Sequence, residues 1–122
     1  MSLTGIVIAL CAAGALVVGR LAVLFLRDPA AGLADTTHRA EQLPQVMADR
    51  YVMMTALALA AAWFGHPGVI AVLFASFAYM GFHDAVIYAR AGHPVTKHVA
   101  AGIAAGAVSG LAAFAQFRGG AA

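Results

Sequence analysis

The chain has 122 residues, 63% of them hydrophobic and only 10% charged, with mean hydropathy +0.89 and a formal net charge of +2. A water-soluble domain carries about 45–50% apolar and about 25% charged residues, and so short a chain cannot bury the excess. Lipid must therefore solvate much of the surface, which excludes a soluble enzyme, a disordered tail and a nucleic-acid binder.

Four apolar segments follow one another, each close to the roughly 20 residues of a spanning helix. The first, Leu3–Leu26, is interrupted only by Arg20. It lacks a positive leading region and is too long for a signal-peptide core. The long connection 27–45 contains Asp28-Pro29, Asp35-Thr36-Thr37 and Leu43-Pro44. A short interfacial helix is expected there, over Ala30–Ala34 or Thr37–Gln42. The second segment, Val46–Phe64, opens with Asp49 and Arg50. A tight His66-Pro67-Gly68 turn leads to the third, Val69–Ala91, which holds Tyr79, His83, Asp84, Tyr88 and Arg90. A second tight turn, Gly92-His93-Pro94, leads to the fourth, Val95–Phe117, opened by Lys97 and His98. Transmembrane strands are excluded by the lack of period-two alternation and the abundance of alanine. The expected fold is a single all-α domain, an integral membrane bundle of four transmembrane helices.

Arg20, Arg27, Arg39, Arg50, Arg90 and Lys97 flank the first and third connections; the opposite side holds only Arg118. Positive flanks mark the cytoplasmic side, so both termini are expected on the non-cytoplasmic side of a bacterial inner membrane.

The ionisable residues share one depth. With about 1.5 Å rise per residue, Arg20 and Asp84 lie roughly 9–10 Å inside the cytoplasmic boundary, and Asp49 and Arg50 roughly 5 Å. His98 sits near the start of the fourth segment. A charge inside a membrane turns inward and finds a partner, so Asp84 is expected beside Arg50 or Arg20, with Asp49 as a second carboxylate. Asp49 and Arg50 point about 100° apart, so at most one faces the axis squarely. Arg20 can instead snorkel to headgroups. On the third segment Met80, Asp84 and Tyr88 form one stripe and Ser76, Tyr79, His83 and Arg90 approximate another. His38, His66 and His93 lie in connections, where solvent is the expected partner. Met47, Met53, Met54 and Met80 read as core filler. Gly102, Gly106 and Gly110 make a close-packing face, a candidate surface for homo-oligomers.

No metal or cofactor is expected. Cys11 is the one cysteine, and no zinc, P-loop, nucleophile-elbow or dinucleotide motif occurs. His83 and His98 differ by about 7 Å in depth, a poor arrangement for two haem ligands.

The succession of Arg27-Asp28-Pro29, Asp49-Arg50, a deep Asp84, a short Gly-containing turn and His98 resembles a group of small bacterial four-span membrane proteins of unknown function. In those, an Arg-Asp pair, a later Asp and a final His recur; here the pair reads Asp49-Arg50. The resemblance implies the four-span fold, singles out Asp49, Arg50, Asp84 and His98, and implies no activity.

Three functions compete. The first is an acid/base enzyme or binding protein for a lipophilic small molecule reached from the membrane lipid. Asp84, Asp49, Arg50 and His98 would be catalytic, with Arg20, His83, Tyr88 and Tyr79 around the ligand. Double-bond isomerisation, epoxide opening and isoprenoid cyclisation need only proton transfer and fit such a cluster. The second is a non-catalytic accessory or oligomerising subunit whose charges form a structural network. The third is a small proton or solute transporter.

Overall fold

The computed structural model describes residues 3–119; residues 1–2 and 120–122, which carry both termini of the expected domain, lie outside the described residues. The described chain is helical: α1 (Leu3–Arg27), α2 (Pro29–Asp35), a 3-10 turn (Ala40–Gln42), α3 (Leu43–Phe64), α4 (Pro67–Arg90) and α5 (Thr96–Gly119). Two compact units divide it, Met1–Asp49 and Arg50–Ala122.

In the first unit, Asp28 ends one helix and starts the next. Its N–H still donates to Leu24 O at 2.8 Å, while its carboxylate accepts from Ala31 N at 3.0 Å. Pro29 has no N–H to continue α1 and suits the first position of α2. The short helix folds back along α1. Gly32 meets Phe25 so closely that an added Cβ would lie 2.7 Å from the ring. Three residues on, Asp35 reaches Arg20 at 3.1 Å. Arg20 was offered Asp84 as a partner; the returning helix gives it Asp35 instead, with the Arg20 side chain exposed. Both sequence alternatives for a short helical piece are realised, the first as α2 and the second, shortened, as the 3-10 turn.

The second unit is built on the α4–α5 hairpin. Gly65 (φ +65°) closes α3, and its N–H donates to Ala61 O at 3.0 Å. Pro67 then opens α4. Gly92 (φ +75°) closes α4. Gly92 N donates to Ala89 O, and His93 N donates to Tyr88 O at 2.9 Å. This pair of bonds is the Schellman closure, which needs a left-handed residue where glycine stands. The helices start or stop within three residues of the expected bounds. The largest shift, α3 beginning at Leu43 instead of Val46, arises because Pro44 fits a first helical turn.

α4 and α5 approach to backbone contact where two glycines face each other. A Cβ on Gly81 would lie 2.8 Å from Gly102 N and 3.1 Å from His98 O. A Cβ on Gly102 would meet the Phe82 ring at 2.9 Å, and one on Gly106 would touch Ala78 at 3.9 Å. Two of the three glycines of the α5 stripe thus serve packing within the chain, and Gly110 has open space around it. Ser109 Oγ donates to Ala71 O at 2.8 Å, and Gly68 N donates to Gln116 Oε1 at 3.0 Å. Between membrane helices such bonds contribute about 0.6 kcal/mol each.

Among the described residues the buried positions are small: Gly32, Ala61, Ala78, Gly81, Ala85 and Gly102. Large apolar side chains point outward, with Trp63 88% and Phe117 80% exposed. In water each would forgo about 1.5–3 kcal/mol of burial. Among the described residues, three stretches are long and apolar enough to cross a membrane: Ala40–Phe64, Pro67–Arg90 and Thr96–Gly119. Trp63, Phe64, Phe114 and Phe117 gather at one end of the unit, with the Arg118 guanidinium 4.9 Å from the Phe114 ring centre.

Candidate functional site

The site lies at the opposite end, one turn from the Gly81–Gly102 crossing. In an antiparallel hairpin of this register, Asp84 follows Gly81 by three residues and His98 precedes Gly102 by four. Both side chains therefore stand at one level, and Arg50 comes to that level from α3. The three line a cavity of about 220 Å³, with Met54, Phe77 and Met80 among its apolar walls. Gly81 is part of the wall, so the close approach of the helices also shapes the cavity.

Arg50 Nη2 stands 3.6 Å from Asp84 Oδ2, and the two side chains are 33% and 27% exposed. A charge-assisted hydrogen bond would be about 2.7–2.9 Å. The attraction is thus Coulombic, and the carboxylate keeps its accepting capacity for another group. Within this unit no other carboxylate side chain exists: Asp84 is the single acidic residue from Arg50 to the end of the chain. His98 presents its ring to Tyr88, centroids 4.5 Å apart, and His93 flanks the same tyrosine at 5.9 Å.

The other residues singled out by sequence fall elsewhere. Tyr88 lines a neighbouring cavity together with His98. Tyr79 and His83 stack on each other one turn apart, centroids 5.4 Å and rings 12° from parallel. Neither is in the wall of the Arg50–Asp84 cavity. Asp49 is exposed, at the end of the first unit. Arg20 is engaged by Asp35.

Sequence reasoning missed Tyr51, Met54, Phe77, Ala101 and Ala105 as walls. The signal was present in helical spacing. Phe77, Met80, Gly81 and Asp84 recur at three or four residues, as do Arg50 and Met54, and His98, Ala101 and Ala105. Each set is the face of one helix carrying one ionisable residue.

Chemically, the cavity offers a carboxylate that can accept a proton, a guanidinium that holds negative charge, and an imidazole that can donate or accept. Apolar walls strengthen each interaction by lowering the local dielectric. Among the described residues, no three metal-ligating side chains come together. No family model, curated protein or solved structure matches the chain. The likeness to small four-span membrane proteins therefore rests on its few motif residues alone.

Proposed function

We propose that this is a four-span protein of the bacterial inner membrane that binds, and acts by acid/base chemistry on, a lipophilic small molecule. α1 supplies the fourth span: its 25 residues carry no charge before Arg20. The basic flanks support an orientation with the α4–α5 turn and the connection after α1 in the cytoplasm and both termini outside. A C-terminal reporter active only outside the cytoplasm is expected to work, and the same reporter inserted after Thr37 is expected to be silent. The reverse pattern overturns the orientation.

The observation carrying the functional reading is the Arg50–Asp84–His98 cavity, formed by three helices within apolar walls. Its roughly 220 Å³ falls below the roughly 300–1,000 Å³ of pockets that enclose a whole small-molecule ligand. It holds the reacting end of an amphiphile while the remainder stays in lipid. Asp84 takes a proton from the substrate, Arg50 stabilises negative charge on oxygen, and His98 returns a proton. One proton leaves and one is added, so isomerisation, epoxide opening and cyclisation are all balanced without a redox partner.

The test is mass spectrometry of small molecules that co-purify with the protein in mild detergent, comparing wild type with Asp84→Asn. A defined lipophilic compound retained by the wild type and lost by the variant is the expected result. Bulk phospholipid alone in both, with equal stability, overturns it. That outcome favours the second reading, an accessory membrane subunit, which the unpacked Gly110 also favours because it leaves room for a partner helix.

A further inference from the structure

A second cavity adjoins the first. It measures about 530 Å³ and is lined by Tyr88, His93, Pro94, Thr96, Lys97 and His98. His98 belongs to both walls, so one imidazole borders the two spaces. The lining is mostly apolar, carries a few donors and holds no carboxylate. Lys97 is a full cation, His93 and His98 carry ring N–H groups, and Thr96 and Tyr88 carry hydroxyls. The one acidic side chain of this unit, Asp84, stands beside Arg50, and among the described residues no carboxylate pairs with Lys97.

The backbone adds to this. Thr96, Lys97 and His98 form the first turn of α5, a 24-residue helix. Their N–H groups precede the first helical acceptors; Val99 N, donating to Val95 O at 3.0 Å, is the first to find one. The helix end also carries roughly half a positive charge.

A carboxylate has two oxygens to share among these donors. A phosphate presents three and a larger charge, and both lysine side chains and helix N-termini receive it readily. We propose that the hairpin cavity binds the phosphate group of a lipophilic phosphate ester, with the carbon next to the ester reaching the Arg50–Asp84 cavity past His98. The inference rests on the lipophile site proposed above and names the class of its ligand. It also accounts for His93, which a reading as a solvated turn residue leaves idle, and for Tyr88, whose ring stands between the two histidines.

The experiment uses the full chain in neutral nanodiscs, with dodecyl phosphate, dodecanol and inorganic phosphate as probes and native mass spectrometry as the readout. The variants are Lys97→Gln combined with His93→Gln, Asp84→Asn, and Arg118→Gln as a control at the far end. Thermal unfolding establishes that each is folded. The double variant is expected to lose affinity for dodecyl phosphate about tenfold, the scale of one lost charge-assisted hydrogen bond, with dodecanol and the Arg118 control unchanged. Inorganic phosphate that displaces dodecyl phosphate at equal concentration assigns the site to free phosphate; displacement only at large excess assigns it to the membrane ester. Equal binding of dodecyl phosphate by wild type and double variant overturns the phosphate site. Binding of both amphiphiles that ignores Asp84→Asn overturns the lipophile cavity instead, and the Lys97 and His93 variants still decide the phosphate site separately.

Discussion

Replacing Gly81 with valine is expected to part α4 from α5. A Cβ there would lie 2.8 Å from Gly102 N and 2.9 Å from Gly102 Cα, both backbone atoms that cannot rotate aside. Relief requires the helices to separate, which also strands the Ser109–Ala71 bond and opens the wall of the Arg50–Asp84 cavity. Overpacking a close contact costs about 1–3 kcal/mol, and a branched side chain at a backbone crossing belongs at the upper end. Glycine-to-alanine changes return up to about 1 kcal/mol of helix propensity, so Gly81→Ala is milder than Gly81→Val. A cross-link reads the spacing directly. A Cβ on Gly106 would be 3.9 Å from that of Ala78, within the Cβ separation of a disulfide. In a Cys11→Ser background, Ala78→Cys with Gly106→Cys should oxidise readily, and addition of Gly81→Val should suppress it strongly. Gly110→Val, with open space around it, should leave the bridge intact. Efficient cross-linking in the Gly81→Val variant would show that the crossing does not depend on glycine there.

Much of the helical plan was legible because it follows from local rules. Pro29 after Asp28, Pro67 after His66, and Gly92 after Ala91 each punctuate a helix through its own backbone chemistry. Depth alone singled out Asp84, Asp49, Arg50 and His98 with Arg20 and His83 beside them; of these only Arg50, Asp84 and His98 line one cavity, because depth does not say which helix face a residue occupies. What was hidden depends on which faces meet. Arg20 pairs with Asp35 because α2 turns back, and α2 can lie close to α1 because Gly32 leaves room for Phe25. No periodicity signals that return. The Gly102–Gly106–Gly110 stripe advertised close packing without naming the partner, and Gly81 on the facing helix was the missing half. His93 read as a solvated turn residue and Lys97 as a basic flank of the fourth helix; the hairpin sets both around Tyr88 and His98.

The largest functional effect is expected at the Arg50–Asp84 pair, and stability and ligand retention should part company there. Arg50→Leu leaves Asp84 as an acid without a partner in apolar surroundings, whereas Asp84→Leu leaves an arginine whose long stem can carry its charge toward the headgroups. Arg50→Leu should therefore destabilise more than Asp84→Leu. The double variant, with no charge left to desolvate, should recover much of the loss. Fully buried pairs lose about 3–5 kcal/mol when one partner is removed. At 3.6 Å, with each side chain about a third exposed, the interaction energy from a double-mutant cycle should lie nearer 1–2 kcal/mol, within the usual range for residues in contact. Thermal unfolding of the four proteins in one detergent measures it. Ligand retention should behave differently, because removal of both charges restores packing but not proton transfer or anion stabilisation. The double variant should be stable yet as empty of the defined lipophile as Asp84→Asn. A double variant that retains that compound like the wild type would make the pair a structural lock, and the chemistry would have to be sought elsewhere in the chain.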